Sequence, residues 1–235
     1  MLLTKNDQIL VKQVSDNLKR GRTSSFLDKR ELSLVISYLN KNKSSYQIYY
    51  LFNDCDKVII YDKELPKITL FKIISKINLT NSDILGTLFS LNIDRHIFGD
   101  IIEIDEIFYF PVLDNIASYI KNNLTIIKKS MITLEEESLS LIENYERNYD
   151  TLEYIVSSPR IDIIVSRITN LSRKNVLELF NKNEILLNYN YSNNYAYLLK
   201  EGDVFSIRKH GKYRYKGIIR ETKSKKKVIK LEKYK

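Results

Sequence analysis

The order of apolar patterns between residues 68 and 133 constrains this chain most. Ile68–Ile74 predicts a strand. Ser82–Leu91 is a helix that would bury Ile84, Leu85, Leu88 and Phe89. Asp100–Ile104 and Ile107–Pro111 predict two strands turning at Asp105-Glu106. Asp114–Lys121 is a helix and Leu124–Thr133 a last strand. The order β-α-β-β-α-β is the ferredoxin-like arrangement, an antiparallel sheet with its helices on one face.

Smaller patterns flank it. Ile9, Leu10, Val14 and Leu18 predict one face of an opening helix, broken by Gly21–Ser25. A second helix, Asp28–Leu39, would bury Leu32, Val35, Ile36 and Leu39. Strand candidates Gln47–Phe52 and Lys57–Tyr61 follow, and Leu65-Pro66 reads as a boundary. Glu135-Glu136-Glu137 through Asp150 reads as an acidic connector. The expected fold class is α+β in three small units: an N-terminal α+β unit (1–66), a ferredoxin-like domain plus connector (67–150), and a C-terminal unit with a basic tail (151–235).

Charge separates these parts. The chain carries 38 Lys and Arg against 29 Asp and Glu, a net of +9. Residues 1–150 hold 19 basic and 21 acidic residues, whereas 151–235 hold 19 and 8. Residues 208–235 alone hold 13 and 2. A codon bias toward Lys would act everywhere, yet the first 150 residues are balanced. A polyanionic partner accounts for the asymmetry; a solvated basic tail is the competing reading. The single cysteine, Cys55, excludes an internal disulfide and a Cys-based zinc cage. No apolar run reaches the roughly 18–20 residues of a membrane span. Lys5, Asn6 and Asp7 argue against a secretory leader, so a cytoplasmic protein is expected.

Two helix starts carry the chemistry of the last unit. Pro159 opens a helix with Ile161, Ile164, Val165 and Ile168 on one face. Ser172 caps a second, with Val176, Leu179 and Phe180 as its buried stripe. Arg173 and Lys174 sit in that helix's first turn, where the macrodipole disfavours cations by about 0.3–1 kcal/mol each. A phosphate there would reverse the sign, because it meets both the free N–H groups and the cations. Arg160 holds the equivalent place on the preceding helix. The three form a candidate backbone clamp, against the alternative that all are solvent-exposed. In the central domain, Phe108, Tyr109 and Phe110 occupy the strand where RNA-recognition domains stack bases. The Gly-containing signature of those domains is absent, so core packing is the favoured reading.

Arg160-Ile161-Asp162, Leu171-Ser172-Arg173, Asn183–Asn188 and Leu199–Val204 resemble the αL RNA-binding motif shared with ribosomal protein S-four. Phe26-Leu27-Asp28-Lys29-Arg30-Glu31, Leu79–Gly86, Ile93-Asp94-Arg95 and Gly99-Asp100-Ile101 resemble signatures of the YlmH family of bacterial RNA-binding proteins. Asn81 and Ser82 replace the family's usual His-Arg. The resemblance implies a non-enzymatic, ribosome-associated factor without a cofactor, working as a monomer. Its partners would be rRNA of the large subunit and peptidyl-tRNA, in rescue of stalled, tRNA-obstructed subunits alongside the alanine-tailing machinery. Carried over residue by residue, Arg160 and Arg173 are the first RNA-contact candidates. Lys174, Lys182, Asn188, Arg208, Lys209, Lys212 and Arg214 follow. Asp162 is expected to order the helix start, and Ser172 to cap first and contact phosphate second.

Two other function classes compete with this reading. An RNA-modifying enzyme would need a Gly-Arg-Leu-Asp-like segment or a Gly-rich strand-to-helix turn, and neither is present. His96 and His210 lack metal-ligand spacing, and Cys55 lacks activating basic neighbours. A protein-interaction adaptor, for instance in cell division, would use the balanced first 150 residues and bind RNA secondarily. Tyr189, Tyr191, Tyr195 and Tyr197 nearly alternate, which is read as strand packing.

Overall fold

The computed structural model describes residues 4–234, and the chain divides into two compact units, 1–146 and 147–235. In the first, α1 (Lys5–Lys19) and α2 (Lys29–Lys41) each open with a capping box, Thr4 with Asp7 and Asp28 with Glu31. The strands β1 (Leu27–Asp28), β2 (Gln47–Tyr49) and β3 (Lys57–Tyr61) form a small sheet ordered β1-β3-β2. The buried stripe of α1 is Val11, Val14 and Leu18, and Asp7 joins it because Arg30 of α2 bonds its carboxylate at 2.7 Å. Ile9, expected on that face, is 60% exposed.

The larger sheet of this unit holds β4 (Ile68–Ser75), β5 (Ile102–Ile104), β6 (Ile107–Leu113), β7 (Ile126–Ile127) and β8 (Ser130–Glu137). Its order is β5-β6-β4-β8-β7, antiparallel throughout. With α3 (Asn81–Ser90) and α4 (Asp114–Asn123), this is the ferredoxin-like order read from the sequence. Phe71, Ile73, Phe110 and Leu134 share one core with Ile84, Leu88 and Ile120 of the helices. On the sheet's other side, Leu70, Ile102 and Tyr109 pack with Phe26, Phe52, Val58 and Ile59. That second core spans residue 66, so the expected boundary there falls inside one unit.

Two other readings change. The single strand expected over 124–133 is a hairpin turning at Lys128-Lys129, both at positive φ. Glu135-Glu136-Glu137 belong to β8 and not to a connector. Cations opposite them make this possible: Lys72 faces Glu135 and Glu137, and Lys121 bonds Glu136 at 2.6 Å. A short helix, α5 (Ser140–Glu143), follows.

A charged knot joins the segments Phe26–Glu31 and Ile93–Ile101. The buried Glu31 carboxylate takes Arg95, His96 Nε2 at 2.9 Å, and the backbone N–H of Asp28. His96 Nδ1 lies 2.6 Å from Asp94, and the carbonyl of His96 accepts from the Phe26 N–H at 2.9 Å. Lys57 Nζ donates to the carbonyls of Arg95 and Phe98, each at 2.7 Å. A Cβ on Gly99 would stand 2.6 Å from Pro111 Cγ and 3.0 Å from Phe26, so this close approach needs glycine.

The knot gives stability a two-sided pH dependence. Burial alone would raise the Glu31 carboxyl. Hydrogen bonds from His96 and Asp28, with the charge of Arg95, instead hold it at about 2, down from 4.5. The Arg30 hydrogen bond holds Asp7 at about 2, down from 3.8. The hydrogen bond to Glu31 raises His96 above 6.5. A depressed carboxylate stabilises above its unfolded value and loses this as pH falls through its folded value. A raised histidine stabilises below its unfolded value and loses this as pH rises through its folded one. Denaturation midpoints are therefore expected to fall below about pH 4.5 and again above about pH 6.5. Substituting His96→Gln should remove the upper limb and, because the imidazolium also helps to hold the Glu31 carboxyl down, shorten the lower one; an unchanged upper limb would remove His96 from this account.

The second unit is a six-stranded antiparallel sheet, with one face covered by α6 (Ile161–Thr169) and α7 (Arg173–Asn181). Its strands are β9 (Tyr149–Val156), β10 (Ile185–Leu187), β11 (Asn190–Tyr191), β12 (Val204–Ile207), β13 (Gly211–Glu221) and β14 (Lys227–Tyr234). The order is β11-β10-β12-β13-β14-β9. Ile161, Ile164, Val165, Val176 and Phe180 of the helices meet Phe205, Tyr213, Ile229 and Leu231. The segment expected as a basic tail is thus structural. Val228, Ile229 and Leu231 are buried, and β14 pairs with β9 over eight positions, from Lys227 opposite Val156 to Tyr234 opposite Tyr149. Lysines between the buried residues hid the strand behind a charge run.

Candidate nucleic-acid interface

The starts of α6 and α7 meet at one carboxylate. Arg160, the N-cap of α6, donates through Nε and Nη2 to the two oxygens of Asp162 at 3.1 and 2.9 Å. Arg173 Nη2 reaches the same Asp162 Oδ2 at 3.4 Å. The Asp162 side chain is buried, whereas that of Arg173 is 63% exposed and that of Arg160 33%. Two guanidiniums sharing one carboxylate leave one positive charge uncompensated, and Lys174 adds another. Planar forks of this kind suit bidentate phosphate recognition.

The two helix ends differ in their backbone. The Ile161 N–H donates to the Tyr197 carbonyl at 2.9 Å and the Asp162 N–H to the Tyr195 carbonyl at 3.2 Å. The Ile163 N–H is taken by Asp162 Oδ1 at 2.9 Å. The start of α6 therefore has no N–H groups to offer an anion and contributes only its guanidinium. On α7, Ser172 accepts from the Asn175 N–H at 3.3 Å, while the N–H groups of Arg173 and Lys174 have no acceptor among the described residues. That end keeps the donors and the positive dipole that favour a phosphate. Ser172→Ala should cost about 1 kcal/mol of unit stability through loss of the cap, read as a shift in denaturation midpoint.

The remaining sequence candidates lie elsewhere in the unit. Lys182 is the C-cap of α7, and Arg208 pairs with Glu184 at 3.6 Å; its backbone N–H donates to the Glu184 carbonyl. With exposed Lys209 they gather at the end of α7 remote from Ser172, about 15 Å away at 1.5 Å per residue. Asn188 joins two strand ends: its amide donates to Asp203 at 2.8 Å and accepts from the Val204 N–H at 2.9 Å. Lys212 donates to the Tyr189 hydroxyl at 3.2 Å and lies over the Tyr234 ring at 4.4 Å. Arg214 donates to the Tyr234 hydroxyl at 2.7 Å and stands 3.7 Å from Glu232. These three are tied into the sheet.

The tyrosines depart from their strand reading, since only Tyr191 lies in a strand. Residues 192–198 form a loop laid across the start of α6, with Tyr191 67% and Tyr195 46% exposed. Nothing in the side-chain pattern announces this, because the loop is held by its backbone carbonyls. Phe108, Tyr109 and Phe110 of the first unit are buried and present no stacking surface. Among the described residues there is no cluster suited to a metal ion, and no helix is long and apolar enough to cross a membrane.

Residues 66–141 match a family model described as "Putative RNA-binding domain in YlmH". A curated relative, the "Ribosome-associated protein quality control protein P2" of Bacillus subtilis (strain 168), is 25% identical over 159 residues. That match takes in 68% of this chain and 62% of the relative, so the chain spans less than two thirds of the relative's length. Among solved structures, the "Cell division protein ylmH from Streptococcus pneumoniae" superposes with a TM-score of 0.52 at 15% identity. The superposition covers 61% of this chain and 98% of that one, a likeness of fold. In these comparisons the chain is similar to YlmH-type proteins: the family-model match covers residues 66–141, about a third of the chain.

Proposed function

We propose that this chain is a non-enzymatic, cytoplasmic factor that binds rRNA of the large ribosomal subunit through an αL-type RNA-binding domain, residues 147–235. In this reading it acts in the rescue of stalled, tRNA-obstructed subunits. One observation carries it: Arg160 and Arg173 converge on Asp162 beside an α7 start whose first two N–H groups are unoccupied. An anion placed there meets two guanidiniums, an ammonium, two backbone donors and a helix dipole. The ribosome-associated relative supports a ribosomal partner. Contacts of this type read phosphates and shape, so specificity comes from a folded RNA site and not from base edges.

Co-sedimentation tests this reading. Purified large subunits, vacant or carrying peptidyl-tRNA, are pelleted with the protein across 50–300 mM salt. Retention is expected on both, stronger on the tRNA-carrying particles, and weakening steeply with salt. Retention on small subunits alone, or none at 50 mM salt, would contradict it. The adaptor reading would gain from binding that ignores salt.

A further inference from the structure

The segment matched by an RNA-binding family model is poorly made for RNA in this chain. Residues 66–141 hold seven Lys and Arg against ten Asp and Glu, a net of −3. Four of the seven cations are already paired: Lys72 with Glu135 and Glu137, Arg95 with Glu31, Lys121 with Glu136, and Lys128 with Asp83. Both long helices of the segment start with their own carboxylate, Asp83 on α3 and Asp114 on α4. A phosphate at either end would meet negative charge. The aromatics of β6 are buried. Of the means by which proteins hold nucleic acid, free cations are few, and exposed aromatic faces are limited to Phe89 on α3 and Tyr119 on α4.

The same segment offers a different surface. At one end of the sheet, the loop 76–79 and the Asp105-Glu106 turn enclose a cleft of about 580 Å³. Its apolar lining comes from Ile74, Ile77, Leu79, Ile107 and Phe108, and Ile74 and Ile77 stay 39% and 38% exposed. Its rim carries Glu103, Asp105 and Glu106, all exposed, and none has a cationic partner among the described residues. Lys76 is the one cation lining the cleft. An apolar floor with an acidic rim is the complement of a basic segment carrying an aliphatic side chain.

We propose that this cleft docks a Lys/Arg-rich segment of a partner protein, one aliphatic residue entering between Ile74 and Ile77 and flanking cations meeting Glu103, Asp105 and Glu106. The central domain then recruits protein while the C-terminal unit holds RNA, and the two proposals stand independently. The test uses the full chain with isoleucine methyl groups labelled for NMR. The probe is the synthetic peptide Lys-Lys-Leu-Lys-Lys-Ile-Lys-Lys, compared with its counterpart bearing Glu for every Lys and with a 12-nucleotide single-stranded RNA. The basic peptide is expected to shift the methyls of Ile74, Ile77 and Ile107, with the acidic peptide silent and the RNA sparing these methyls. Glu103→Lys with Glu106→Lys should weaken the peptide at least tenfold while the remaining methyl spectrum stays in place. The proposal is overturned if the basic peptide leaves the three methyls unmoved, if the double variant binds it undiminished, or if the RNA is what moves them.

Discussion

Arg173→Glu combined with Lys174→Glu is expected to weaken binding to large-subunit rRNA at least tenfold at 0.15 M salt. The dependence of log K on log salt should become shallower by about 1.4–1.8, the release expected for two lost phosphate contacts. The same substitution should leave the helix intact, because carboxylates at a helix start interact favourably with the macrodipole by about 0.3–1 kcal/mol each. Arg173 is 63% exposed, and Asp162 retains its two bonds to Arg160. Binding and stability are thus expected to part company, which separates a lost contact from a lost fold. A titration across salt, paired with a thermal melt of the same variant, reads both. A variant that melts like the parent and binds RNA with an unchanged slope would remove α7 from the interface.

The largest expected effect on stability comes from Glu31→Ala, about 2–3 kcal/mol, from a lost helix cap and lost charge-assisted hydrogen bonds to partners that are themselves partly exposed. Glu31 closes the capping box of α2 and is the shared acceptor for Arg95 and His96, so its loss leaves Arg95 with Asp28 alone and His96 with Asp94 alone, and frees a helix start. Glu31→Gln should recover part of the loss, since an amide oxygen still accepts from the Asp28 N–H. Urea denaturation of the full chain, followed by far-UV circular dichroism, measures both variants. A cost below about 1 kcal/mol for the alanine variant would show that the knot contributes little.

The ferredoxin-like order was legible because its strands and helices switch cleanly between alternating and helical spacing, and because Thr80, Asp105-Glu106 and Asp114 mark the turns between them. The helix starts of the last unit were legible for a similar local reason: Pro159 and Ser172 stand where capping rules place them. Strand β14 was not, since Lys227, Lys230 and Lys233 interrupt a buried Val228-Ile229-Leu231 that no local rule distinguishes from a tail. Strand β8 was hidden by three glutamates whose compensation by Lys72 and Lys121 exists only in three dimensions. At the candidate interface the cations could be named from sequence. That α6 spends its N–H groups on the carbonyls of Tyr195 and Tyr197 could not, because backbone bonds between distant segments leave no mark on residue type. The proposed anion site is therefore confined to one helix start, with Arg160 sharing Asp162 with Arg173 beside it.

The most direct measurement is ultraviolet crosslinking of the full chain to large-subunit rRNA, with the modified peptides identified by mass spectrometry. Crosslinks are expected in residues 157–175 and on the exposed Tyr191 and Tyr195 beside them. Crosslinks confined to residues 66–141, with 157–175 unmodified, would contradict the account.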